Sequence, residues 1–194
     1  MAMKRIARFV AIASTAVTAA ALNPLGALTD LLSGKRQFAP PVVMGDEQMM
    51  SQKAHGTSAT PVQKELRWGC DVGTADRICN YNRHFAERSG YWERSTNFLN
   101  EEGMTSGEIT FRDSNTGEAL FTAPRGRSWD SFVKESRVHG WPSFRDEEVN
   151  WEHVRVLPNG ETISTAGTHL GHNLPDFSGN RYCINLVSVA GKAK

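Results

Sequence analysis

Residues able to move protons and electrons gather near the C-terminus of this chain. Cys183 and Asn185 stand two positions apart in the run Arg181-Tyr182-Cys183-Ile184-Asn185. If that run is a strand, their side chains project from one face about 7 Å apart. Fourteen and eleven residues before the cysteine stand His169 and His172, in the run Thr168-His169-Leu170-Gly171-His172. In a turn both imidazoles can face the same space. Cysteine, histidine and asparagine brought together can make an activated thiolate, because a nearby cationic or hydrogen-bonding group lowers the thiol pKa and the thiolate is the attacking species. Other readings stay open. A cysteine in a strand is often an inert core residue, and His-x-x-His can be a metal pair. Gly140-Trp141-Pro142-Ser143-Phe144 adds an aromatic element. Its proline and its turn restrict the backbone, so Trp141 can form one wall of an apolar pocket, or Trp141 and Phe144 can be core. Cys70 and Cys79 lie nine residues apart. They can form a local disulfide, supply a resolving thiol, or stay reduced and inert.

These groups need a scaffold, and the pattern is mainly that of β-structure. Ile109 and Phe111 alternate with polar residues, Asp113 to Gly117 reads as a turn, and Leu120-Phe121 begins the return strand. Val154 and Val156 predict another strand, Pro158-Asn159-Gly160 a turn, and Thr162 to Thr165 its partner. The last strand is expected over Arg181 to Val189, with Tyr182, Ile184 and Leu186 on one face and Cys183, Asn185 and Val187 on the other. Two helices are expected: Thr74 to Ser89, capped by Thr74 with Ile78, Tyr81, Asn82 and Phe85 on one face, and Ser128 to Val138, capped by Ser128 and followed by Gly140. The fold class is therefore mainly β, antiparallel, with helices on its N-terminal side.

The chain has 194 residues, 22 Lys plus Arg against 21 Asp plus Glu, and a formal net charge of +1. That balance gives no electrostatic case for nucleic acid or an anionic membrane. Three cysteines cannot make a four-cysteine zinc site or a disulfide-dense scaffold. The charge is uneven: no acidic residue precedes Asp30, and Phe9 to Leu22 carries no charge at all. Residues 1–45 are expected to be a cleavable targeting segment, for a plastid or mitochondrion or for the secretory pathway; the apolar run is too short to span a membrane. Residues 46–64 read as a flexible linker, rich in Ser, Gln and Thr. A helical extension is expected over 65–104 and the catalytic domain over 105–194.

Gly140–Phe144, Thr168–His172 and Arg181–Asn185, taken together in this order and spacing, resemble the methionine-R-sulfoxide reductases (the MsrB family). Ile109 to Phe121, ending Gly-Glu-Ala-Leu-Phe, is similar to the first hairpin of that family, and the resemblance covers residues 105–191. It implies two antiparallel sheets with peripheral helices. It implies that Cys183 attacks the sulfoxide sulfur and becomes a sulfenic acid as methionine leaves. His169, His172 and Asn185 would place a water or proton donor on the sulfoxide oxygen. Trp141 would pack on the substrate methyl group, with Phe144 and Arg181 also at the substrate and Arg181 assisting electrostatically. Substrates would be oxidised proteins or free methionine sulfoxide, the partner a thioredoxin-like reductant, and the protein a monomer that repairs oxidative damage.

Three departures qualify that implication. Where many members hold structural zinc with two Cys-x-x-Cys pairs, this chain has Asp113, Thr116, Ile163 and Ala166, so no zinc and no other cofactor is expected. Where some members carry a resolving cysteine, this chain has His139. Either Cys70 or Cys79 would then reach Cys183, or thioredoxin would reduce the sulfenic acid directly. The charged run Arg145-Asp146-Glu147-Glu148 would be a solvated loop or alter substrate access. Two other functions fit the same residues: a non-catalytic redox-sensing module on this fold, and a Cys-His-Asn acyl hydrolase.

Overall fold

Asp113 turns the chain at the first hairpin. Its Oδ1 accepts from the backbone N–H of Asn115 at 2.8 Å and of Thr116 at 3.3 Å, which closes the turn expected there. The flanking strands are β1 (Ile109–Arg112) and β2 (Ala119–Ala123), an antiparallel pair with a bulge between Phe111 and Arg112. The computed structural model describes residues 38–101 and 107–194. Most of the expected targeting segment, residues 1–37, lies outside the described residues.

A second sheet carries the candidate chemistry. Its strands are β3 (Ser143–Phe144), β4 (Val154–Val156), β5 (Glu161–Ser164), β6 (His169–Asn173) and β7 (Tyr182–Ile184). All neighbours are antiparallel and the spatial order is β3-β7-β6-β5-β4. The fold is thus mainly β with two antiparallel sheets, as the alternation predicts. Short helices lie around them: α1 (Val72–Asp76), α2 (Tyr91–Arg94) and α3 (Trp129–His139). The core between the layers is aromatic. Phe121 stacks on Phe144 at 4.4 Å between ring centroids, and Phe111 meets Phe144 edge-on at 4.9 Å.

Local chemistry sets where elements stop. Ser128 caps α3 by accepting from Ser131 N–H, and Gly140 ends it in the left-handed region at φ 89°, which favours glycine. The first helix is shorter than its apolar spacing predicts. Asp71, not Thr74, is the cap, and α1 passes into a π-turn, Arg77–Tyr81, that ends before Asn82. Ile78 is buried, but Tyr81 and Phe85 are exposed. The chain leaves the helix because Arg83 is held on the second sheet: its guanidinium bonds Glu161 in β5 and also Glu47.

The last strand is also shorter than expected. It ends at Ile184, and Leu186–Ser188 form a 3-10 turn. Asn185 N–H still donates to Leu170, but the amides of Leu186 and Val187 donate to the Glu87 carboxyl instead of to a neighbouring strand. Residues 46–64 are not a flexible linker in the folded chain. Gln63 N–H donates to the Ser114 carbonyl at 2.8 Å, Met50 packs on Leu157 and Ile163, and Lys53 Nζ donates to the carbonyls of Met49 and Thr57. Polarity hides this packing in the sequence: most of the contacts are backbone bonds around few apolar anchors. The charged run at 145–148 is not a solvated loop either. Glu148 is buried and accepts from Arg127, and Asp146 accepts from the Tyr182 hydroxyl at 2.7 Å.

Candidate active site

Cys183 sits in β7 between two neighbours, opposite Ser143 of β3 on one side and His172 of β6 on the other. Directly opposed residues of antiparallel strands share a face, so the ladder itself puts His172 beside the thiol. Gly171 makes that approach possible. A Cβ there would lie 2.0 Å from the Cys183 carbonyl oxygen, closer than any side chain can come. His169 lies on the same ground, 5.7 Å from His172 between ring centroids. Glu161 opposes His172 across the next ladder, which carries a bulge at Leu170 of β6, and its carboxylate reaches His169 Nδ1 at 2.7 Å.

These groups line one cleft of about 390 Å³, a volume suited to a small ligand or a single side chain. Cys183, His169, His172 and Asn185 line it together with the apolar groups Trp141 and Leu174. The remaining wall is the segment Arg83 to Ala86, with Phe85 at its exposed edge. Away from this cleft, a group of the described residues, Glu135, His139 and Asp176, places three possible ligand atoms within 4.8 Å of one another. Arg145 bonds both of those carboxylates, so a guanidinium already occupies the cluster.

The electrostatics give each group a definite state. Burial raises the Cys183 thiol above the ordinary range, the positive charge of Arg181 beside it works the other way, and Glu87 adds to the rise. The resting group is therefore a thiol. Burial would raise Glu161 too, but the bonds from His169 and Arg83 outweigh it and hold the carboxyl below its usual range. An ionised carboxylate only accepts, so the hydrogen lies on His169 Nδ1, and that bond fixes the ring orientation. Burial and the neighbouring His169 lower His172, which leaves it neutral near pH 7 and able to take a proton. Asn185 Oδ1 accepts from Glu87 N–H at 3.0 Å, and its Nδ2 donates to Leu170 at 3.0 Å. One Nδ2 hydrogen remains for a ligand. Trp141 is held by its Nε1–H on the Glu87 carbonyl at 3.0 Å.

The residues expected from the sequence fall into two sets. Cys183, His169, His172, Asn185 and Trp141 meet in the cleft, and Arg181, itself buried, acts on the thiol from beside it. Phe144 does not belong to the cleft. It is fully buried against Phe111 and Phe121, because its position in β3 faces the aromatic core. Cys70 and Cys79 are free, buried and off the cleft, and burial raises both thiols far above the ordinary range. Cys79 meets Ser188 at 3.5 Å.

The zinc-ligand positions of the resembled family are taken up in other ways. Asp113 accepts from the Thr168 hydroxyl at 3.0 Å, and Ile163 is core. Sequence spacing missed Arg83, Phe85, Glu87 and Glu161. The faint signal for Glu161 is a charged residue inside a strand; the others lie in a stretch read as helix. No protein-family model matches the chain, and no solved structure matches it.

Proposed function

We propose that this protein is a methionine-R-sulfoxide reductase. One observation carries the reading: Cys183, His169, His172, Asn185 and Trp141, from three separate motifs, line the same cleft. A methionine sulfoxide side chain entering it meets an apolar wall at Trp141 for its methyl group and a polar floor for its oxygen. The Cys183 sulfur attacks the sulfoxide sulfur while the thiol proton passes to the oxygen, with neutral His172 as the relay and the free Nδ2 hydrogen of Asn185 on the oxygen. The hydroxyl then passes from the substrate sulfur to the Cys183 sulfur as the S–O bond and the newly formed S–S bond break, so methionine leaves and Cys183 carries the oxygen as a sulfenic acid. Two external thiols then reduce it, releasing water and a disulfide. The burial of Cys70 and Cys79 away from the cleft supports direct reduction by a thioredoxin-type dithiol, not an internal resolving cysteine.

Turnover of the R and S epimers of dabsyl methionine sulfoxide with dithiothreitol tests this. The R epimer alone should be consumed, and Cys183→Ser should reduce turnover to background. Equal use of both epimers, or an active Cys183→Ser protein, overturns it.

A further inference from the structure

Glu87 touches several parts of the candidate site at once. Its N–H donates to Asn185 Oδ1, its carbonyl accepts from Trp141 Nε1–H, and its carboxylate oxygen Oε2 accepts from Val187 N–H, each at 3.0 Å. The other carboxyl oxygen, Oε1, is buried with no hydrogen-bond partner among the described residues, in a residue only 2% exposed. The side chain thus ends β7 just past Asn185. A neutral amide of the same shape would accept the same amide bonds. What the carboxyl adds is charge, in a place where an unpaired charge is costly.

We propose that Glu87 is a positioning residue for the nucleophile strand whose charge state tunes how readily Cys183 yields a thiolate. Burial pushes the Glu87 carboxyl up to about 7, against the pull of the Leu186 and Val187 amides, so it changes charge near neutral pH. The titratable groups on which its charge acts are Cys70, Cys79 on the π-turn, Tyr91 at the start of α2, and Cys183 on β7. All are acids, and a negative Glu87 opposes the ionisation of each. With Glu87 neutral, Arg181 favours the Cys183 thiolate unopposed by it; with Glu87 ionised, the two charges compete.

The proposal rests on Cys183 as the nucleophile but not on sulfoxide as the substrate. Its test is alkylation of Cys183 by iodoacetamide in the full chain from pH 6 to pH 10, followed by peptide mass spectrometry and independent of turnover. Glu87→Gln keeps the shape and the acceptor. It should alkylate roughly tenfold faster than wild type at pH 8, with the profile displaced to lower pH. Arg181→Met should displace it in the opposite direction. Superimposable wild-type and Glu87→Gln profiles overturn the proposal, as does a Glu87→Gln profile displaced to higher pH. Absence of sulfoxide turnover by the wild-type protein alongside the expected alkylation shift would count against the reductase reading and leave the Glu87 proposal standing.

Discussion

One wall of the cleft comes from β6 and β7, the other from residues 83–86 with Glu87 just beyond them, and they are held in different ways. The sheet wall is positioned by backbone ladders: Cys183 and His172 are neighbours because Gly171 to Asn173 pair with Tyr182 to Ile184. The second wall has no ladder. It is pinned at both ends by long-range polar bonds, Arg83 to Glu161 and Glu87 to Asn185 and Val187. A ladder distributes its hydrogen bonds over many residues, so loss of one side chain moves little. A pinned segment depends on a few groups that are partly or wholly buried, and each pin also serves a chemical group: Glu161 orients His169, and Glu87 holds Asn185 and Trp141.

This contrast can be broken most sharply at the first pin. Glu161→Gln keeps the shape but removes the carboxylate that fixes His169. The expected result is about a 10²-fold loss in kcat for the R-sulfoxide, the lower end of what a positioned acid-base group contributes. An unchanged kcat would mean that His169 is oriented by the sheet alone.

The second pin should show itself in stability. The folded-state carboxyl of Glu87 titrates near 7, above its ordinary value. Its contribution to stability is fully present below the unfolded-state pKa and is lost as pH rises through 7. Above that point the ionised, buried group costs on the order of 3 kcal/mol. Glu87→Gln carries no such dependence. Urea unfolding should give the two proteins similar stability at pH 4, with the variant becoming the more stable one by pH 8.5. A wild-type advantage that holds at both pH values would place the balance in the amide bonds and not in the charge.

A smaller effect sharpens the comparison at its periphery. Met50 packs on Leu157 and Ile163 beneath the sheet. Met50→Ala should cost about 2 kcal/mol, measured by thermal or urea unfolding. A neutral result would restore residues 46–64 to the status of a linker.

How much of this could be read from the chain follows the same division. The first hairpin, α3 with its Ser128 and Gly140 caps, and β4 with β5 all depend on local patterning and turn chemistry, and they appear where the sequence places them. The convergence of His169, His172, Cys183 and Asn185 was also legible, since one hairpin of the sheet carries them all. Trp141 was legible as a wall, whereas Phe144 was not separable from it: a two-residue strand gives no period from which to tell the cleft face from the core face. The lengths of the first helix and the last strand were misread for a common reason. Arg83 and Glu87 bond to partners 78 and 98 or more residues away, and those bonds override local preference.

The amino-acid sequence by itself determined the mainly β class, the caps, the turns and the short motifs that bring a thiol, two imidazoles and an amide to one sheet. Periodicity and turn residues act over a few positions, so they survive in a linear reading. Only the tertiary structure decided the second wall, the removal of Phe144 into the core, the burial of Cys70 and Cys79, and the charges around Cys183. Those depend on which buried groups meet across long separations. The energy of a buried carboxyl is set by its partners in space, and no spacing along the chain records them.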